Sequence, residues 1–165
     1  LNVIRTRFPY LIAEKKEDVE PVYRAALHPN AFEYEKSFYF RNLKVTPIKL
    51  QGHNVECSGY IFNDGEVVHI SDFRDIPESA FAFITRRPEV LIMPLTTPEG
   101  TRFHAGLTTL LEYAERIKAK KTIITHMAVE CDYAAIKAQC PAGVEPAYDG
   151  YEVAWADAGA QAEGF

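Results

Sequence analysis

Apolar residues in this chain fall into short blocks, first with strand-like spacing and then with strands and helices in alternation. Leu43, Val45, Ile48 and Leu50 read as one strand, on which Pro47 marks an edge or a bulge. Gly59 to Phe62 and Val67 to Ile70 flank Asn63-Asp64-Gly65, and an Asp-Gly between two apolar runs predicts a hairpin. From Pro77 a helix is expected over Glu78 to Arg86, with the proline at its start. Val90 to Met93 is a continuous apolar run, as a strand covered on both faces requires. Leu107, Leu110, Leu111, Ala114 and Ile117 have helical spacing, and Thr122 to Thr125 reads as the next buried strand. Asp132 is a candidate N-cap for a short helix reaching Cys140. Val144 to Tyr148 and Tyr151 to Trp155, around Asp149-Gly150, predict a closing hairpin.

The first forty residues are less periodic. Val19 to Leu27 reads as a short helix stopped by Pro29-Asn30, and the aromatics from Tyr34 to Phe40 as an edge strand. Residues 156–165 are small and polar, a flexible tail beyond a domain spanning 1–155. Hairpins followed by βαβαβ predict an α/β fold, a mixed β-sheet with packed helices.

Composition narrows this picture. The 165 residues suffice for one domain with a core, and a net charge of −5 argues against a general nucleic-acid or membrane surface. Apolar runs of about eight residues at most are too short to span a bilayer. Leu1 to Arg5 lacks the layout of a signal peptide. The chain opens in mid-pattern without Met, as a fragment of a longer protein would. Cys57, Cys131 and Cys140 are odd in number and show no C-x-x-C spacing, so neither a disulfide framework nor a cysteine metal site is expected, and a reducing cytoplasm fits.

The candidate chemistry lies where the runs end. His53, Asp72 and His126 each follow a strand-like run, and His104 lies in the loop after another. Strand ends on one sheet edge are where open α/β sheets build sites. Gly52 lets the backbone turn just before His53. Asp72 has two carboxylate oxygens able to bridge cations, and the His126 imidazole suits a borderline metal such as zinc. His104, just before a helix, can bind an anionic group or protonate a leaving group. Taken singly, a histidine at a strand end is more often a hydrogen-bonded surface residue, and Asp72 could cap a helix or form a turn. Four together are harder to explain that way. His28 reads as a solvated turn residue and His69 as half-buried in a strand. Glu56 and Glu130 lie near candidate ligands without motif support. Lys118-Ala119-Lys120-Lys121 is the basic end of a helix, where cations suit the dipole.

Taken in order, these stretches resemble a known family. Val45-Thr46-Pro47-Ile48 with His53, Gly59-Tyr60-Ile61, Ile70-Ser71-Asp72 with Ile76-Pro77, the strand Val90 to Met93, His104 before a helix, Ile123-Ile124-Thr125-His126 and Ala147-Tyr148-Asp149-Gly150 resemble the C-terminal half of the αβ/βα metallo-β-lactamase sandwich. Phe8-Pro9-Tyr10 adds to the likeness. The branch it resembles contains the cyclic phosphodiesterase of phosphonate breakdown. By that resemblance His53 binds a first metal, Asp72 bridges two, His126 binds the second, and His104 faces the substrate and assists the leaving oxygen. Two divalent ions, zinc or manganese, would then polarise a phosphoryl oxygen and supply the nucleophile. Pro94, Ala128-Val129 and Arg74 stand where the branch carries Asp, a Ser-His pair and Ser.

The family's His-x-His-x-Asp-His string has no counterpart in these residues. The resemblance therefore implies a site completed by an N-terminal segment or a partner chain, acting on a small-molecule phosphodiester, with a second copy of the chain as another candidate partner. Two other readings stand beside it. One is a non-catalytic scaffold or binding domain with a degenerate site; the other is a thioester or lactone hydrolase on the same fold. Half of a sandwich would also leave one sheet face bare or covered by a partner.

Overall fold

The computed structural model describes residues 2–8, 30–52 and 56–154. The chain divides into two compact units, residues 1–33 and 34–165. In the first, helix α1 (Asn2–Arg7) ends where the Phe8 N–H donates to the Ile4 carbonyl at 2.8 Å. The helix expected over Val19 to Leu27, His28, His53 and the tail after residue 155 lie outside the described residues.

The second unit is built on a seven-stranded sheet whose spatial order is the chain order. Its strands are β1 (Phe38–Phe40), β2 (Leu43–Leu50), β3 (Cys57–Phe62), β4 (Val67–Ile70), β5 (Val90–Pro94), β6 (Lys121–Thr125) and β7 (Val144–Pro146). Strands β1 to β4 pair antiparallel; β4 to β7 pair parallel. The expected mixed sheet is thus present, an antiparallel half continuous with a parallel half. Parallel neighbours need crossovers, and helices α2 (Glu78–Phe81), α3 (Leu107–Ile117) and α4 (Tyr133–Gln139) lie in them.

Local chemistry explains most of these elements. Asn63, Asp64 and Gly65 all have positive φ (46°, 58° and 103°), which is why the β3–β4 turn uses residue types that tolerate the left-handed region. Pro47 sits in β2 without breaking a ladder. Its carbonyl accepts from the Glu35 N–H at 2.8 Å, so its nitrogen also faces that outer side, past the Phe38–Val45 pair where β1 begins. The α3 stripe of Leu107, Leu110, Ala114 and Ile117 is buried, and Lys118 closes the helix in the left-handed conformation. Asp132 caps α4 by accepting the Ala135 N–H at 2.8 Å.

Two expectations are corrected. The helix begun at Pro77 lasts four residues, Glu78 to Phe81, rather than nine. Ala82, Phe83 and Ile84 continue in bonds spaced by three residues, and the Thr85 hydroxyl then donates to the Asp64 carbonyl, drawing the chain onto the β3–β4 turn. The closing hairpin does not form: β7 stops at Pro146 and pairs parallel with β6, and residues 151–154 make no strand. After the Asp149-Gly150 turn, Tyr151 packs edge-on against Tyr148 and its hydroxyl donates to Glu145 at 2.6 Å, so side-chain bonds replace a returning ladder.

One sheet face carries the core. Ile48, Leu50, Ile61, Val68, Ile70, Leu91, Met93 and Ile124 pack with Phe73, Ala80, Leu110 and Ile136 in one buried cluster. On the opposite face Tyr60, Phe62, Val67, His69 and Ile92 are only half-buried, and a groove of about 490 Å³ runs past Val67, Ile92, Thr125, Tyr148 and Val153. Val90 and Ile123, on the same face, are buried.

His69 stacks on Tyr60 there (centroids 6.5 Å apart), and burial pushes its imidazole below the ordinary 6.5. Below pH 6.5 the unfolded chain therefore binds a proton that the folded chain resists, so stability falls with falling pH until the lowered folded value is passed. His69→Gln should flatten that part of the profile, read as urea midpoints between pH 7 and pH 5 (about two units spanning the imidazole range).

Candidate metal and hydrolytic site

The parallel register brings the C-terminal ends of β4, β5 and β6 to one edge, and the loops after them carry Asp72, His104 and His126. The start of β3 and the end of β2 arrive at the same edge, because β3 pairs antiparallel with β4 and β2 antiparallel with β3.

Asp72 is held from both sides. Before it, the Ser71 hydroxyl donates to the Ser58 carbonyl; after it, Phe73 is fully buried in the core. The Phe73 carbonyl accepts the Ala105 N–H at 2.9 Å, and Arg74 Nη1 donates to the Thr101 carbonyl at 2.6 Å. These two bonds clamp the Asp72 loop to the His104 loop. The latter is folded tightly: Gly100 has φ +76°, and a Cβ on it would stand 2.5 Å from the Gly106 nitrogen. Behind the clamp, the Tyr113 hydroxyl donates to Asp75, and burial first, then that bond, pushes the phenol above its usual range.

Three segments meet at Gly52. Gln51 accepts the Arg74 N–H at 2.7 Å and donates to the Asp75 carbonyl at 3.0 Å. Gly52 has φ +140°, and a Cβ there would press on the Arg74 nitrogen and stand 2.9 Å from the Phe103 carbonyl oxygen. The glycine expected to turn the chain before His53 is therefore also a close-packing point.

His126 follows β6 with φ +58°, a left-handed conformation that histidine adopts more readily than most residues. Its Nε2 lies 3.4 Å from Asp72 Oδ1, and His104 Nε2 lies 3.8 Å from the same oxygen. Both exceed a hydrogen-bond length. Two ligand atoms bound to one tetrahedral ion at about 2.0–2.1 Å would lie roughly 3.3–3.4 Å apart. The Asp72–His126 pair has that spacing and the oxygen-nitrogen donor chemistry of a zinc or manganese site. Among the described residues no group of three His, Cys, Asp or Glu is placed to hold an ion. Asp72 and His126 thus fit part of a divalent centre, one needing further ligands.

The structure brings Asp72, His104 and His126 together; the remaining candidate, His53, is outside the described residues. Thr101, Arg74 and Tyr113 were not singled out as site residues by pattern, because only contacts between loops reveal them. A Thr-x-x-His spacing was the available signal for Thr101. Cys57, at the start of β3, has its thiol pushed up by burial and then by the charge of Asp72, so it stays protonated. Cys57, Cys131 and Cys140 are free thiols.

The fold is that of metallo-β-lactamase fold proteins. The chain belongs to the beta-lactamase superfamily domain family, whose model matches residues 1–127. Among solved structures it is similar to a diphosphatase from the PhnP family (22% identity, TM-score 0.76, covering 94% of this chain and 55% of that one). It is also similar to the metallo-beta-lactamase fold protein YhfI from Bacillus subtilis (18%, TM-score 0.65, 79% and 57%). A third is an isothiocyanate hydrolase from Delia radicum gut bacteria (13%, TM-score 0.62, 81% and 62%). The chain therefore spans less than two thirds of these structures' length. No curated protein sequence matches it. No helix among the described residues is long and apolar enough to cross a membrane.

Because three backbone segments converge at Gly52, Gly52→Ala should lower stability by about 1–3 kcal/mol. Gly150→Ala, with open space around its Cβ, should cost less despite its similar need for positive φ. Denaturant midpoints of the two variants compare the steric part directly.

Proposed function

We propose that this chain forms the later part of a metal-dependent hydrolase site that cleaves a phosphodiester. The observation that carries the reading is the convergence of His104 and His126 on a single Asp72 oxygen at the C-terminal edge of the sheet. Asp72 would bridge two ions, His126 would hold one of them and His53 the other, with remaining ligands from outside this chain's described residues. Bound there, zinc or manganese supplies Lewis-acid polarisation of a phosphoryl oxygen and a water nucleophile at neutral pH.

The chain's own residues do the positioning. Phe73 and Ser71 fix the backbone on either side of Asp72, so its carboxylate need not reorganise to meet an ion. The two bonds between the loops keep His104 at a set distance from Asp72, where it would face a leaving oxygen. A small phosphodiester is the substrate class favoured by the likeness to a diphosphatase of the PhnP family. The similar isothiocyanate hydrolase acts on a different substrate class, so a thioester or lactone hydrolase stays as a further reading of the same edge.

A second reading, a binding domain with a degenerate site, is favoured by Pro94 and Ala128-Val129, which stand where the resembled branch carries Asp and a Ser-His pair. Metal analysis of the full-length protein separates the two. The hydrolase reading expects about two ions per chain. It also expects Asp72→Asn and His126→Ala to lower cleavage of bis(p-nitrophenyl) phosphate at least about 100-fold, since partners one step removed from a metal already cost 10–100-fold. Unchanged cleavage in both variants would sink it.

A further inference from the structure

The hydrogen bonds around Thr101 bear on where His104 carries its proton. The Thr101 hydroxyl oxygen accepts two backbone N–H groups, from Phe103 and from His104, each at 3.1 Å. The same oxygen lies 3.3 Å from His104 Nδ1. A hydroxyl has two acceptor lone pairs and one proton. Both lone pairs are engaged by the backbone, so the remaining contact is the Thr101 O–H donating to Nδ1. A neutral imidazole that accepts at Nδ1 carries its hydrogen on Nε2. Nε2 is the atom facing Asp72.

We propose that Thr101 is a positioning residue that holds His104 as the neutral Nε2–H tautomer. His104 then assists the reaction as a hydrogen-bond donor, not as an acid that gives up its proton. A general acid would have to be an imidazolium, whose Nδ1–H would meet an oxygen already filled by two N–H donors. A fixed N–H aimed at the site instead stabilises negative charge as it builds on the departing oxygen. That oxygen takes its proton from solvent after leaving.

The loop is constructed to keep this arrangement. The Thr101 N–H donates to the His104 carbonyl at 2.9 Å, so the four-residue turn is closed at both ends. The Thr101 carbonyl is in turn held by Arg74, two residues from Asp72. The tautomer is thus tied to the same loop that carries the carboxylate. This use of His104 rests on the hydrolase reading; the tautomer itself does not.

The experiment has two arms on the full-length protein. In the first, ¹⁵N–¹H correlation spectra of the histidine rings are recorded for metal-free and zinc-loaded protein near pH 8.5, about two units above the ordinary imidazole value. His104 should show an unprotonated Nδ1 and a protonated Nε2. Thr101→Val should give mixed tautomers, and Thr101→Ser should match the parent.

In the second arm, bis(p-nitrophenyl) phosphate cleavage is measured with manganese. Thr101→Val should lower kcat about tenfold, short of the 10²–10³ lost when a charge-stabilising donor is deleted outright. KM should stay within about twofold and Thr101→Ser should restore the rate, a split that general loosening of the loop would not produce. A protonated Nδ1 in the parent, or a tautomer unchanged by Thr101→Val, would overturn the assignment. Absence of cleavage by the parent would count against the hydrolase reading, while the spectra still decide the role of Thr101.

Discussion

Two hydrogen bonds between loops, Ala105 N–H to the Phe73 carbonyl and Arg74 Nη1 to the Thr101 carbonyl, set the distance between Asp72 and His104. Neither would hold if Phe73 were not anchored in the core among residues from the sheet and α3. The buried ring fixes the backbone between the two bonds, and the exposed carboxylate beside it inherits that rigidity. A side chain on the surface is otherwise costly to order, because each fixed rotamer loses entropy. Here the ordering is done by apolar packing one residue away.

The sheet supplies the second constraint. Three parallel pairings in a row put the ends of β4, β5 and β6 at one edge, so three loops distant in sequence become neighbours. Helices fill the other layer and bury one face; the opposite face keeps half-buried aromatic and aliphatic residues.

Much of this was legible from residue order. Asp-Gly between apolar runs marked the β3–β4 turn because its positive φ values exclude most residues. Leu107, Leu110, Ala114 and Ile117 marked α3 because a single helical stripe has to be buried. The failures have equally local causes. Glu78 to Arg86 has helix-compatible residues, but the Thr85 side chain bonds to a turn that lies far away in sequence. Tyr151 to Trp155 has strand-like residues, but Tyr151 finds Glu145 and Tyr148 before it can form a ladder. Short elements are decided by such competing contacts, which no local pattern displays.

By itself, the sequence determined the order of strands and helices from β2 to β7, the burial stripes, and the donor types of Asp72, His104 and His126, because periodicity and side-chain chemistry are local properties. Only the tertiary structure decided that one Asp72 oxygen lies near two imidazoles, that Gly52 is a contact point for three segments, and that the Thr101 hydroxyl lies against His104 Nδ1. Those facts depend on distances between loops, and such distances exist only after the sheet register has brought the loops together.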